Sequence, residues 1–161
     1  MSEVTESLQA YIEAAVIPQY DSFDAAHRRD HVQMVIDQSL EIARNYGLDA
    51  DMAYTVAAYH DTGLAEGRDT HHIVSGRIIR GDHNLIEEMA QAAEDHRASS
   101  GREPRSIYGK VVSEADRFID PENIIVRTVQ YSLANYPEFT RDEHYRRSYA
   151  HLVENSGAGG Y

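Results

Sequence analysis

The chain has 161 residues, which is enough for one domain of ordinary size and short for two. Its composition, 42% hydrophobic and 26% charged, is that of a globular protein able to bury a core. The net charge of −12 argues against binding to a phosphate backbone, since nucleic-acid binders carry basic surfaces. The sequence contains no Cys, which excludes disulfides, Cys-ligated zinc and thiol catalysis.

The N-terminal residues do not indicate secretion. Residues 1–8 include Glu3 and Glu6 and lack both the basic and the apolar segment of a signal peptide. No apolar run approaches the ~20 residues that a membrane span needs. We therefore expect a cytoplasmic protein without a membrane or nucleic-acid partner. Whether the chain forms a homo-oligomer stays open.

Apolar residues recur at helical spacing along most of the chain. The stretches with this spacing are 2–17, 24–46, 50–61, 70–80, a segment from 84, 107–119, 121–135 and a last segment from 140. Pro18 would end the first helix and Gly47 would cap the second. Asn84 and Glu87 resemble a capping box, and Pro121 stands at a first helical position.

No segment shows convincing strand alternation, so the sequence predicts an all-α fold. We expect a compact single-domain bundle of about seven helices over residues 1–161. Its motif-bearing core would cover about 20–120, followed by C-terminal helices over 121–155 and a flexible tail over 156–161. The clearest predicted loop is 98–106.

Six His and Asp residues lie on or beside the apolar stripes and should point toward the interior. They are His31, His60, Asp61, His72, His96 and Asp116. A metal ion would offset the cost of burying such carboxylates, and imidazole and carboxylate suit Mn, Fe, Co, Ni, Zn or Mg. The alternative from the residues alone is structural. A His on an apolar face is often a hydrogen-bonded core residue, and Asp116 could pair with Arg117 or Arg127.

The order of three motifs resembles the H…HD…D signature of the HD-domain superfamily of metal-dependent phosphohydrolases. Residues 27–32 (HRRDHV) resemble the "HD-x-x-H" opening, 57–63 (AAYHDTG) resemble "A-x-x-HD-x-G", and 114–118 (EADRF) resemble "x-A-D-R-L". The resemblance covers roughly residues 20–120. The chain departs from the pattern by Arg28, where an Asp often follows the first His, and by lacking a basic residue soon after the doublet.

The resemblance implies that four residues bind one divalent metal ion. They are His31, His60, Asp61 and Asp116. His72 and His96 match positions of further histidines, which in relatives either hold a second metal bridged by Asp61 or serve proton transfer and phosphate binding; one ion or two stays open. His71 competes with His72, and we favour His72 because Gly76 and Ile79 follow it at helical spacing. His27, in the first motif, is a secondary candidate.

The function that the resemblance implies is a phosphohydrolase acting on a small phosphate ester, with a nucleotide or related metabolite as the expected substrate. Asp61 would orient the attacking water or bridge two ions, and His96 or His72 would transfer a proton. Arg97, beside His96, is predicted to bind the substrate phosphate because guanidinium matches phosphate oxygens. A di-iron oxygenase and a non-catalytic metal-binding or regulatory module are the alternatives.

Overall fold

The structure is a computed structural model that describes residues 3–24, 26–82, 85–97, 101–117 and 121–156. These ranges contain eight α-helices, two short 3-10 helices and no strand, so the all-α prediction is confirmed with one helix more than about seven. The helices are α1 (Glu6–Ala15), α2 (Arg29–Tyr46), α3 (Ala50–Tyr59), α4 (His71–Gly81), α5 (Glu87–Asp95), α6 (Ile107–Asp116), α7 (Pro121–Asn135) and α8 (Arg141–Ser156). The 3-10 helices are Ile17–Ser22 and Thr62–Glu66. Within the described ranges, no helix is both long and apolar enough to cross a membrane.

The chain divides into two compact units. One comprises residues 1–23 and 27–118, with α1 to α6, and the other comprises 24–26 and 119–161, with α7 and α8. The single domain over 1–161 stays a prediction. Of the predicted tail, Ser156 still belongs to α8, and 157–161 lie outside the described residues.

The core of the first unit is built around α3. Every residue of α3 except Asp51 is buried, because small and apolar side chains cover all of its faces. Helices α2, α5 and α6 pack against it. Met52 and Val56, four residues apart, are buried and lead to His60, and Ala53 and Ala57 lead in the same way to Asp61 at the end of the helix.

Several helix ends match the sequence signals and others do not. Gly47 caps α2 with a φ of 66°, as predicted, and its N–H reaches the carbonyls of the last turn. The first helix ends at Ala15, because the chain continues as a 3-10 helix that contains Pro18. Asn84, of the predicted capping box, lies outside the described residues.

Candidate metal centre

The HD doublet lies at the C-terminal end of α3 and is buried. His60 is 0% exposed and Asp61 is 4% exposed. The Tyr20 hydroxyl donates to the Ala58 carbonyl over 2.8 Å and accepts the Asp61 N–H at 3.4 Å. Because the last carbonyls of a helix lack partners within it, this buried tyrosine satisfies the helix end and positions the doublet.

The start of α4 approaches the doublet closely. The Ser75 hydroxyl donates to the His60 carbonyl over 2.7 Å and accepts the Gly63 N–H at 2.9 Å. A Cβ at Gly63 would lie 2.1 Å from the His71 carbonyl oxygen and 2.8 Å from the Ser75 nitrogen. Glycine at this position therefore allows α4 to bring His71 against the end of α3.

The Asp61 carboxylate is the centre of a ring of imidazoles. Its Oδ2 lies 3.1 Å from His60 Nε2 and 3.4 Å from His31 Nε2. Its Oδ1 lies 3.3 Å from His71 Nε2 and 3.6 Å from His96 Nε2. Each oxygen of one buried carboxylate thus faces a separate pair of histidines.

The first ligand group, which the sequence predicts, is brought together in the structure. Its members are His31, His60, Asp61 and Asp116. Asp116, at the end of α6, places Oδ1 3.2 Å from His31 Nε2 and 3.8 Å from His60 Nε2. The two imidazole Nε2 atoms lie 3.4 Å apart. Neighbouring donors around an ion with bonds of ~2.1 Å are separated by about 3–3.5 Å, so these distances suit one ion.

The second ligand group consists of Asp61, His71 and His96. His71 begins α4 and His96 follows the last residue of α5. Their Nε2 atoms lie 3.1 Å apart, and both rings are buried. The two groups share Asp61, so this carboxylate would contact both ions if each group held one.

The histidine tautomers test whether a cation fits. In three of the rings Nδ1 contacts a backbone carbonyl, which only accepts hydrogen bonds, so Nδ1 carries the proton. These contacts are His60 to Ala57 at 2.7 Å, His71 to Arg68 at 2.6 Å and His96 to Ala93 at 2.6 Å. The Nε2 atoms then face each other and Asp61. Such an arrangement is repulsive without a cation and typical of metal-ligating histidines, so the donor set fits divalent ions.

The pKa shifts agree with that donor set. Burial opposes ionisation of Asp61, yet the charges and hydrogen bonds of His60, His31 and His96 hold its pKa well below the ordinary value. Burial lowers the pKa of His71 to about 4, which leaves this ring neutral at pH 7. Burial also opposes the charge on His60, but Asp61 and Asp116 raise its pKa. The carboxylates therefore favour positive charge here, and a metal ion can supply it.

The structure places His71, and not the favoured His72, beside Asp61 and His96. His72 is in neither ligand group; its neighbour His71 is, and the rings of the two lie 5.6 Å apart. The His72 Nδ1 is buried and has no hydrogen-bond partner among the described residues. The sequence contained a signal for His71, since Val74 and Ser75 follow it at i+3 and i+4 and are both buried.

Arg97 and His27 have other surroundings than the sequence suggests. The Arg97 guanidinium donates to the backbone carbonyls of Arg68 and Asp69, in the turn that precedes α4. The Arg68 carbonyl also anchors His71, so Arg97 stabilises the turn that positions this histidine. Its binding to a substrate phosphate stays a prediction. His27 is buried with its ring edge-on to His31 at 5.8 Å, and it belongs to neither group.

Comparisons with known proteins agree with this geometry. The family model described as HD domain matches residues 28–119, more than half of the chain. The crystal structure of a predicted HD superfamily hydrolase from an uncultured Thermotogales bacterium is similar, with 22% identity, a TM-score of 0.59 and coverage of 90% of this chain and 87% of that one. A Lactobacillus plantarum protein of known structure is also similar, with 22% identity, a TM-score of 0.64 and coverage of 94% and 81%. At this identity the likeness concerns the fold alone. No curated protein matches.

Proposed function

The chain belongs to the HD-domain family, and from this premise we propose that it is a metal-dependent phosphohydrolase. Its substrate would be a small phosphate ester, a nucleotide or a related metabolite. The observation that carries the proposal is the position of Asp61, whose two carboxylate oxygens each face one ligand group. A scaffold protein has no need for six convergent donors, so the arrangement favours catalysis over a purely regulatory module.

The ligand groups imply two ions. His31, His60, Asp61 and Asp116 would hold the first, and Asp61, His71 and His96 would hold the second. When bound, the ions supply polarisation of a phosphoryl oxygen and a coordinated water that ionises near neutral pH. Four imidazoles among six ligands favour transition metals over magnesium.

The surroundings of His96 support a ligand role rather than proton transfer. Its Nδ1 is bonded to the Ala93 carbonyl, and its Nε2 faces His71 and Asp61. A proton carrier needs a ring nitrogen that is free to exchange with substrate or water, and both nitrogens are already engaged. His96 is also only 2% exposed.

The side of Asp116 is where we expect the substrate to arrive. The Asp116 side chain is 28% exposed, whereas the exposure of the other ligand side chains does not exceed 10%. The buried carboxylate of Asp61 is out of reach of a substrate, so its role is to hold and bridge the ions.

A di-iron oxygenase is the second candidate, and the observation in its favour is the same set of four His and two Asp ligands. Both activities use two ions, so the ligand set does not separate them. The identity of the bound metal and the reaction with oxygen do separate them.

The experiment is metal analysis of the purified protein followed by two activity assays. One screens phosphate release from nucleotides and sugar phosphates with Mn, Mg, Co and Ni, and the other measures oxygen consumption with iron. Asp61→Ala serves as the inactive variant and Asp37→Ala, at an exposed carboxylate, as its control. Phosphate release that requires metal and Asp61 supports the proposal. Oxygen consumption by an iron pair would favour the second candidate, and inactivity in both assays would favour the regulatory module.

A further inference from the structure

The second unit is an antiparallel helical hairpin. Helices α7 and α8 are joined by residues 136–140 and pack against each other. The Ser132 hydroxyl and His144 Nδ1 form a hydrogen bond of 2.8 Å across the pair. The Arg147 guanidinium lies 5.0 Å from the centre of the Tyr131 ring.

In this hairpin, polar side chains are buried between the helices and large apolar side chains are exposed, the reverse of an ordinary pair of packed helices. The buried seam between the helices contains Thr128, Ser132 and Ser148, which are small and polar. Seven of the large apolar side chains are 37–69% exposed, and we call these seven the apolar face. Its members are Ile125, Val126, Val129 and Leu133 from α7 and Tyr145, Tyr149 and Val153 from α8.

These residues form one continuous surface. Leu133 directly follows the seam residue Ser132, and Tyr149 directly follows Ser148, so each is turned about 100° away from the seam. Because the two helices are antiparallel, these equal rotations point to the same side of the hairpin. The rings of Tyr145 and Tyr149 stack with centres 6.2 Å apart and extend this surface along α8.

We propose that the apolar face binds the same face of a second copy of this chain, so that two hairpins form a four-helix bundle with two-fold symmetry. The exposed parts of the seven side chains amount to on the order of 700 Å², close to the ~800 Å² that each partner buries in a stable interface. A two-fold interface needs a self-complementary patch, which a flat apolar surface supplies.

The charge of the chain favours this face over the rest of the surface for a contact between two copies. Two copies each carrying −12 repel each other over most of their surface. The apolar face contains no ionisable group that is charged at neutral pH. Contact there removes apolar surface from water, and the carboxylates on the same side of the hairpin, Glu122 and Asp142, lie at opposite ends of the face.

The first test is the mass of the protein by sedimentation equilibrium from low to high micromolar concentration. We expect a dimer of twice 18.2 kDa. Leu133→Glu places a charge in the face and should weaken dimerisation roughly 100-fold. Ala134→Glu, at the next exposed position on the other side of the helix, should leave the dimer intact. Circular dichroism of both variants checks that they fold.

The second test does not depend on a destabilising charge. The chain has no Cys, so the double variant Val129→Cys with Tyr149→Cys carries thiols only on the face. Both positions are changed because a two-fold axis can pair α7 with either helix of the other copy. We expect oxidation to cross-link two chains, whereas the control Ala134→Cys with Ala150→Cys should stay uncross-linked.

A wild-type protein that is monomeric at all concentrations would overturn the proposal, and the face would then be assigned to a different protein. A dimer that survives Leu133→Glu and is not cross-linked through positions 129 and 149 would also overturn it, because another surface would then join the copies.

Discussion

The two ligand groups differ in how the chain builds them. The first draws on the ends of α3 and α6 and on α2, and it contains two carboxylates, Asp61 and Asp116. The second shares Asp61 and adds two histidines, of which His71 depends on the turn that precedes α4. We infer that the first group binds its ion more tightly, since an additional carboxylate adds charge. The ion of the second group should therefore be the more easily lost.

The largest expected effect is that of Asp61→Ala, because this residue belongs to both groups. The variant should lose most of both ions and the activity that depends on them, and its thermal midpoint should fall. Loss of a ligand present at about 100 times its Kd costs about 2.7 kcal/mol. Metal analysis and calorimetry measure both effects, with Asp37→Ala as control. Full metal occupancy with an unchanged midpoint would contradict the assignment of the centre.

The variants His71→Gln and His72→Gln test which of these two adjacent histidines belongs to the second ligand group. His71→Gln should reduce the bound metal from about two ions per chain to about one, with a loss of at least ~100-fold in affinity for the second ion, because a direct ligand disappears. His72→Gln should keep both ions. The reverse result would restore the sequence-based preference for His72.

His96→Gln separates a ligand from a proton carrier. The engaged ring nitrogens predict that this variant behaves like His71→Gln and retains only the first ion. If the variant instead keeps both ions while turnover falls roughly 10²–10⁴-fold, the role of His96 is proton transfer. Metal content and kcat, measured on the same preparation, distinguish the two results.

A smaller effect is expected from Arg97→Met. Removal of the guanidinium that holds the turn at Arg68 and Asp69 should weaken the second ion about 10-fold and leave the first unchanged. Arg97→Lys should recover part of the affinity, and Arg77→Met, at an exposed ion pair with Glu66, is the control. An increase in KM with unchanged metal binding would instead support the predicted phosphate contact.

The smallest effect is expected from Tyr20→Phe, which should affect the two ligand groups equally. The Ala58 carbonyl and the Asp61 N–H lose the hydroxyl that joins them, at a cost of about 1–2 kcal/mol in unfolding free energy. Affinity for both ions should fall by the same small factor, since Asp61 serves both. A selective loss of one ion would show that the two groups are positioned independently of this helix end.

The helical fold was predictable from the sequence, because the 3.6-residue spacing of apolar positions depends only on residues close in the chain. The boundaries were less predictable. The helix that begins at Arg29 was expected from 24, and a turn in which Asp24 accepts the Ala26 N–H precedes it instead. Such local hydrogen bonds compete with the helix without changing the apolar spacing.

The sequence by itself predicted the four residues of the first ligand group, which the structure brings together, because their order and immediate neighbours carry a recognisable pattern. Only the tertiary structure shows that His71, rather than His72, lies beside Asp61. Adjacent residues of a helix differ by about 100° in direction, and the direction that faces Asp61 depends on how α4 packs against the end of α3. That packing rests on contacts distant in sequence, of Gly63 with Ser75 and of Tyr20 with the end of α3, which no local pattern of residues contains.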